Sequence, residues 1–144
     1  MNPEQIAAIE TSWALVAPIA PQAAELFYGN LFALDPSVKS LFKPDLVEQG
    51  KRLMQMIDVA VKHLKQPEVL IPALQGLGKR HVEYGVTDAH YATVGAALLQ
   101  TLEQGLGAAF TPEVKAAWTA VYGTIQSVMI EAAHSKVFGV STAA

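Results

Sequence analysis

Cysteine is missing from all 144 residues. Disulfides, thiolate metal centres, iron–sulfur clusters and cysteine nucleophiles are excluded with it. Charge is scarce too: Asp, Glu, Lys and Arg make up 16% of the chain against 51% hydrophobic residues. That balance excludes a disordered chain. It also suggests that the protein has something besides itself to wrap, such as an apolar cofactor or another subunit. No Lys or Arg precedes Lys39, so the first segment lacks the basic start of a secretory signal. No apolar run approaches the roughly 18 residues that a membrane span requires. The expectation is a cytoplasmic protein with no membrane span. A net charge of −3 speaks against a nucleic-acid partner. Alternating strand patterns, Asn-Gly hairpins and internal repeats are missing as well, which removes the β architectures.

What is present is helical punctuation. Asn2-Pro3-Glu4-Gln5 reads as an N-cap, a proline in the first turn and a capping-box partner. Behind it Ile6, Ile9, Trp13 and Val16 recur at helical spacing. Pro18 and Pro21 break that helix and start a second, running to about Leu34, and Asp35-Pro36 opens a short turn that ends near Phe42. A longer helix from about Leu46 carries Leu53, Ile57, Val61 and Leu64 on one stripe, and Pro67 ends it. A short piece from about Ile71 to Tyr84 follows, weakened by Gly76 and Gly78 and stopped by Gly85. Thr87 caps a helix that stops at Gly107, and Thr111-Pro112-Glu113 starts the last one. The reading is one all-α domain over 1–144, with seven to eight helices and a frayed tail after about 133. A chain of this length buries roughly 68–70% of its unfolded surface, so it can build a core unaided.

Hydrolytic and phosphate-binding signatures do not occur. The four histidines are the remaining chemical candidates. His90 in a first helical turn, His134 in the tail and His63 beside Lys62 and Lys65 read as surface residues. His81 differs, because it follows Leu77 by four residues. The Leu77 carbonyl can accept a hydrogen bond from the ring Nδ1, which makes Nε2 the metal-ligating atom. Eight of the ten basic residues lie between Lys39 and Arg80, a segment that reads first as a solvated face and second as a surface for an anionic group.

The stretches "LFYGNLFALDPSVKSLF" (26–42), "EQGKRLMQ" (48–55), "RHVEYGV", "HYATVG" and "AAWTAVYG" resemble, in order and at family spacing, the single-domain bacterial haemoglobins and the globin domain of flavohaemoglobins. The resemblance covers about residues 3 to 133. It implies a globin fold around haem b, with His81 as the proximal iron ligand through Nε2. It also implies Phe42 packed on the porphyrin, Tyr28 and Gln49 as distal donors, and Tyr91 behind the proximal histidine. Leu53, Leu77, Val86 and Val94 then line the pocket, and Arg80 or Lys51 meets a propionate. A phenol and an amide beside a partly negative diatomic ligand slow its release, each by roughly 1–2 kcal/mol. The implied ligands are oxygen, NO and CO, with tight binding that suits scavenging, sensing or chemistry better than bulk transport. The implied state is a monomer or weak homo-oligomer.

One departure stands out. Aligning "VYGTIQSVMIEAA" on the family's last helix puts Ala133 where flavohaemoglobins carry a glutamate that pushes electron density toward the iron. Glu131 lies about 200° round the helix from that position, and Glu83 is the other acid within reach in sequence. The reductase domains of flavohaemoglobins have no counterpart here, so redox cycling needs an external reductase. Two further readings stay open: nitric oxide dioxygenation at the same site, with peroxidase-like chemistry in question, and a haem-free interaction domain.

Overall fold

The computed structural model describes residues 2–42, 45–83 and 86–143, with the backbone alone for 82, 83 and 135–143. Six α-helices follow one another within it: α1 (Pro3–Val16), α2 (Ala20–Leu34), α3 (Leu46–Lys62), α4 (Pro67–Glu83), α5 (Asp88–Leu106) and α6 (Pro112–Ala143). Short 3-10 turns occupy Ala17–Ile19, Pro36–Leu41 and Gly107–Ala109, and no strand occurs among the described residues. The expected seven or eight helices are therefore six α-helices and three tighter turns. No helix among the described residues is long and apolar enough to cross a membrane.

The caps explain most of the boundaries. Gln5 N–H donates to Asn2 Oδ1 at 2.8 Å and Asn2 N–H donates to Gln5 Oε1 at 3.2 Å, completing the capping box. Asp45 accepts from Glu48 N–H at 3.1 Å to start α3. Gly107 ends α5 at φ +55°, a conformation that disfavours any side chain. His90 is half-buried and does more than coat the surface: its Nδ1 accepts the Thr87 N–H at 2.9 Å and so caps α5.

Helix α4 corrects the expectation most. It spans Pro67–Glu83 rather than a short piece from Ile71, and Pro67 opens it instead of closing α3, which ends at Lys62. A proline in the first helical turn forfeits no bond, because that N–H has no partner within the helix. Pro72 lies inside α4 and costs only the bond back to the first turn. Residues Lys43-Pro44, between the turn and α3, and the stop at Gly85 lie outside the described residues. Helix α6 runs on past Ala133 to Ala143, where a frayed tail was expected; no proline follows Pro112 to interrupt it.

Packing is pairwise. Helix α1 lies on α6, α2 crosses α5 and α3, and α4 runs along α6. Ile9, Leu31 and Leu102 are fully buried at the crossings. Beside them the rings of Trp13 and Trp118 sit 6.2 Å apart at 58°. Trp118 Nε1–H donates to Ser12 Oγ at 2.8 Å, and Ser12 Oγ–H donates in turn to the Ala8 carbonyl at 2.7 Å. Ser12→Ala leaves that buried indole N–H unpaired. The expected cost is about 1–3 kcal/mol, read as a lower urea midpoint at unchanged m-value.

Candidate functional site

Two apolar clusters hold the apolar and aromatic residues singled out from the sequence for the pocket. Tyr28 belongs to the larger one, between α2, α3 and α5. It is 6% exposed. Its ring lies 5.5 Å from Phe27, 6.0 Å from Phe32 and 5.4 Å from Phe42, the last edge-on. Burial among these rings pushes the phenol pKa up to about 12, so the hydroxyl keeps its proton and remains a donor. Phe42, Leu53 and Val94 pack against the same cluster.

Gln49 is half-buried on α3, and its neighbour Gly50 sets the distance to α2. A methyl at Gly50 would lie 2.9 Å from Ala24 Cβ and 3.5 Å from Tyr28 Cε2. The absent side chain therefore lets α3 approach α2 until its backbone meets the Tyr28 ring. Gln49 precedes that contact by one residue on α3.

The second cluster is built on α4, α5 and α6 from Leu74, Tyr91 and Met129, with Leu77 and Val86 packed against it. Here Gly78 decides the depth of α4. A Cβ at that position would stand 2.4 Å from the Met129 carbonyl oxygen and 2.8 Å from Met129 Cα. No side chain fits there, and the two helix backbones touch. His81 follows one turn later. Its Nδ1 lies 2.8 Å from the Leu77 carbonyl; a carbonyl has no proton to give, so Nδ1–H donates and Nε2 carries the lone pair. Burial holds the imidazole below its ordinary pKa, the Leu77 bond opposes that shift, and the Arg80 charge adds to it. A neutral imidazole with an oriented Nε2 is the form that binds metals.

Tyr91 stacks 6.2 Å from the His81 ring at 27°. Its hydroxyl is buried and has no hydrogen-bond partner among the described residues. Ala133 offers it none, Glu131 is exposed, and the Glu83 side chain lies outside the described residues. Val86 N–H donates to the His81 carbonyl at 3.0 Å, folding the chain back over the end of α4. Arg80 and Lys51 are both exposed, so a propionate contact would form at the solvent rim.

Helices α3 and α4 are consecutive, yet they pack on different partners and scarcely on each other. Ile125 packs against both clusters. An apolar cavity of about 70 Å³ reaches between them, lined by Phe27, Leu53, Leu74, Val94 and Leu98 among others. No group of three or more His, Asp or Glu side chains that could hold a metal ion gathers among the described residues. A metal on His81 would need its remaining donors from elsewhere.

Sequence reasoning missed Gly50, Gly78 and Tyr122. The Tyr122 hydroxyl donates to the Tyr91 carbonyl at 2.6 Å and ties α6 to α5 behind the histidine. An isolated glycine in a helical pattern was the available signal for the first two.

A globin family model matches residues 25–129, a span that takes in Tyr28, Phe42, Gln49, His81 and Tyr91. Neuroglobin of Danio rerio is 30% identical over 135 residues, covering 84% of this chain and 85% of that protein. Flavohemoproteins of Bordetella parapertussis and Bordetella bronchiseptica are each 29% identical over 137 residues, covering 90% of this chain. The chain spans 33% of the length of each of those two proteins. An all-helical chain with this match is of the haem-binding kind that takes small gaseous ligands such as oxygen. It belongs to the globin family.

Proposed function

We propose that this protein binds haem b between α3 and α4, with His81 Nε2 as the iron ligand, and that it binds oxygen reversibly. The observation that carries the reading is the His81 geometry: a neutral, half-buried imidazole oriented through Leu77 at the edge of an apolar division between two helices. The donor chemistry fits, since one histidine suffices where a porphyrin brings four nitrogens. A chain without cysteine cannot tether that porphyrin through thioether bonds. Bound haem would supply an iron whose second face accepts a diatomic gas.

The chain's own residues set how that gas is held. Tyr28 is a permanently protonated donor in a dry, aromatic surround, where a hydrogen bond is worth more than in water. Gln49 adds an amide donor from α3. Phe42 and Leu53 exclude water and wall the ring, while Leu77, Val86 and Val94 complete the apolar lining. Oxygen, CO and NO are the ligands, in a cytoplasmic monomer or weak homo-oligomer.

The test is the absorption spectrum of the ferric, reduced, and CO- or oxygen-treated protein. A sharp Soret band that shifts at each step is expected, and a protein that stays colourless with haem supplied would leave the haem-free interaction domain standing. Tyr28→Phe should release oxygen roughly tenfold faster, the equivalent of one lost donor. Unchanged release in stopped flow would mean that the phenol points elsewhere.

The likeness to flavohemoproteins favours a second reading, nitric oxide dioxygenation with an outside electron donor. The Tyr91 hydroxyl, without a partner among the described residues, and Ala133 weigh against it, because neither brings a carboxylate to Tyr91. Sustained NO consumption with a reductase present supports this reading; consumption that stops after a single equivalent leaves binding alone.

A further inference from the structure

We propose that Asn30 is a positioning residue for the ligand pocket: its bonds to Thr101 and Gln104 set the rotation of α2 and thereby aim the Tyr28 hydroxyl. The inference rests on the haem-binding reading above and deepens it.

Asn30 follows Tyr28 by two residues, about 200° round a helix, so the two side chains leave α2 on nearly opposite sides. The Tyr28 ring faces α3, where a Cβ at Gly50 would lie 3.5 Å from its Cε2. Asn30 faces α5, donating from Nδ2 to Thr101 Oγ1 at 3.1 Å and to Gln104 Oε1 at 3.0 Å. A Cβ at Gly29, between them, would meet nothing within 4 Å. Helix α2 is thus held between α5 and α3, with the amide on one side and the phenol on the other.

The orientation of the amide is forced. Thr101 is 3% exposed within α5. Its Oγ1–H donates to the Ala97 carbonyl at 2.8 Å, so the oxygen offers Asn30 a lone pair and no proton. The NH2 group of Asn30 can meet that lone pair, and its carbonyl oxygen cannot. Gln104 is exposed and takes the second amide proton at the rim. Asn30 itself is half-buried, so one arm of the latch is sealed in the helix interface and the other reaches its edge.

What these bonds add is direction. Elsewhere α2 buries Ala23, Ala24, Phe27 and Leu31, and the burial of apolar surface is non-directional. Such contacts resist pulling the helices apart more than they resist a small roll of α2 about its own axis. A roll of about 10° carries a side-chain tip about 6 Å from the axis through about 1 Å. That displacement exceeds the whole range of about 2.5–3.0 Å over which a hydroxyl donates well to an oxygen. Two bonds with distance and angle requirements oppose the roll, and they act on the side of α2 away from the pocket.

The test uses the haem-loaded protein, with the C–O stretching band of its carbon monoxide complex and stopped-flow oxygen release as readouts. A donor beside the bound gas lowers the C–O stretching frequency, so the band reports where the Tyr28 hydroxyl points. Asn30→Leu leaves Thr101 paired with Ala97, and nothing buried loses its sole partner. It should move the band to higher frequency and speed oxygen release by up to roughly tenfold, the limit set by Tyr28→Phe. Thr101→Val should act in the same direction, and Thr101→Ser, which keeps the acceptor, should restore the wild-type band. Ser12→Ala weakens the fold at the α1–α6 crossing and should leave the band in place, which separates aiming from general loosening. In a Tyr28→Phe background Asn30→Leu should change neither readout, because the two act through one group. An unmoved band in Asn30→Leu overturns the proposal, as does an effect that persists undiminished in Tyr28→Phe. Wild type and Tyr28→Phe with the same band overturn Tyr28 as the donor, and a protein without a Soret band overturns the haem reading itself.

Discussion

His81→Ala is expected to lose or grossly alter the Soret band and to regain it when imidazole is added. The variant removes the nitrogen assigned to the iron and leaves a space of the same shape in which free imidazole can bind. Changes to groups that merely orient a metal ligand cost about 10–100-fold in affinity, so deleting the ligand itself should cost more. No other described histidine is placed to substitute. His90 Nδ1 is committed to capping α5, His134 faces Asp88 at 2.9 Å on the surface, and His63 bonds the Val59 carbonyl at 2.7 Å at the end of α3. An unaltered spectrum would place the iron on another residue and end the assignment. The haem-free form carries a pH signature of the same residue. Burial lowers the His81 pKa below 6.5, so the unfolded chain takes up its proton before the folded one does. Stability should therefore fall as pH drops from about 6.5 toward the lowered value. His81→Ala should flatten that slope in urea titrations.

Gly78→Ala should destabilise the fold even though alanine is the better helix former. The propensity gain is about 1 kcal/mol. Against it stands a methyl placed 2.4 Å from the Met129 carbonyl oxygen and 2.8 Å from its Cα. Both are backbone atoms of α6, and neither can rotate away. Overpacking of this kind costs about 1–3 kcal/mol, and more where backbones must separate. A net loss of about 2 kcal/mol would lower Tm by roughly 4–8 °C. Gly123→Ala on α6 is the control, since a methyl there meets nothing within 4 Å and only the propensity gain remains. If both variants were stabilised alike, the α4–α6 contact would be looser than described. Gly78→Ala should also disturb the haem spectrum, because His81 rides on the same helix one turn further along.

The two variants divide along the line between local and distant information. Helix starts were legible because a cap is satisfied within a few residues: Asn2 with Gln5, Thr111 with Val114, and Gly107 closing α5 by itself. The His81 tautomer was equally legible, since its orienting carbonyl belongs to Leu77 on the same helix. The extent of α4 was not, because Pro67 reads as the end of α3 until its place in the first turn of α4 is known.

The sequence by itself determined the all-helical class, the caps, the absence of thiol chemistry and the one histidine with an orienting partner. Each of these depends on residue type or on neighbours one turn away. Tertiary structure alone decided that Gly78 meets Met129, that Gly50 meets Tyr28, that the Tyr91 hydroxyl has no described partner and that Trp13 faces Asp58. Such contacts join residues far apart in the chain, and helix propensity, which counts a glycine as a loss, carries no information about the backbone that will occupy its empty side.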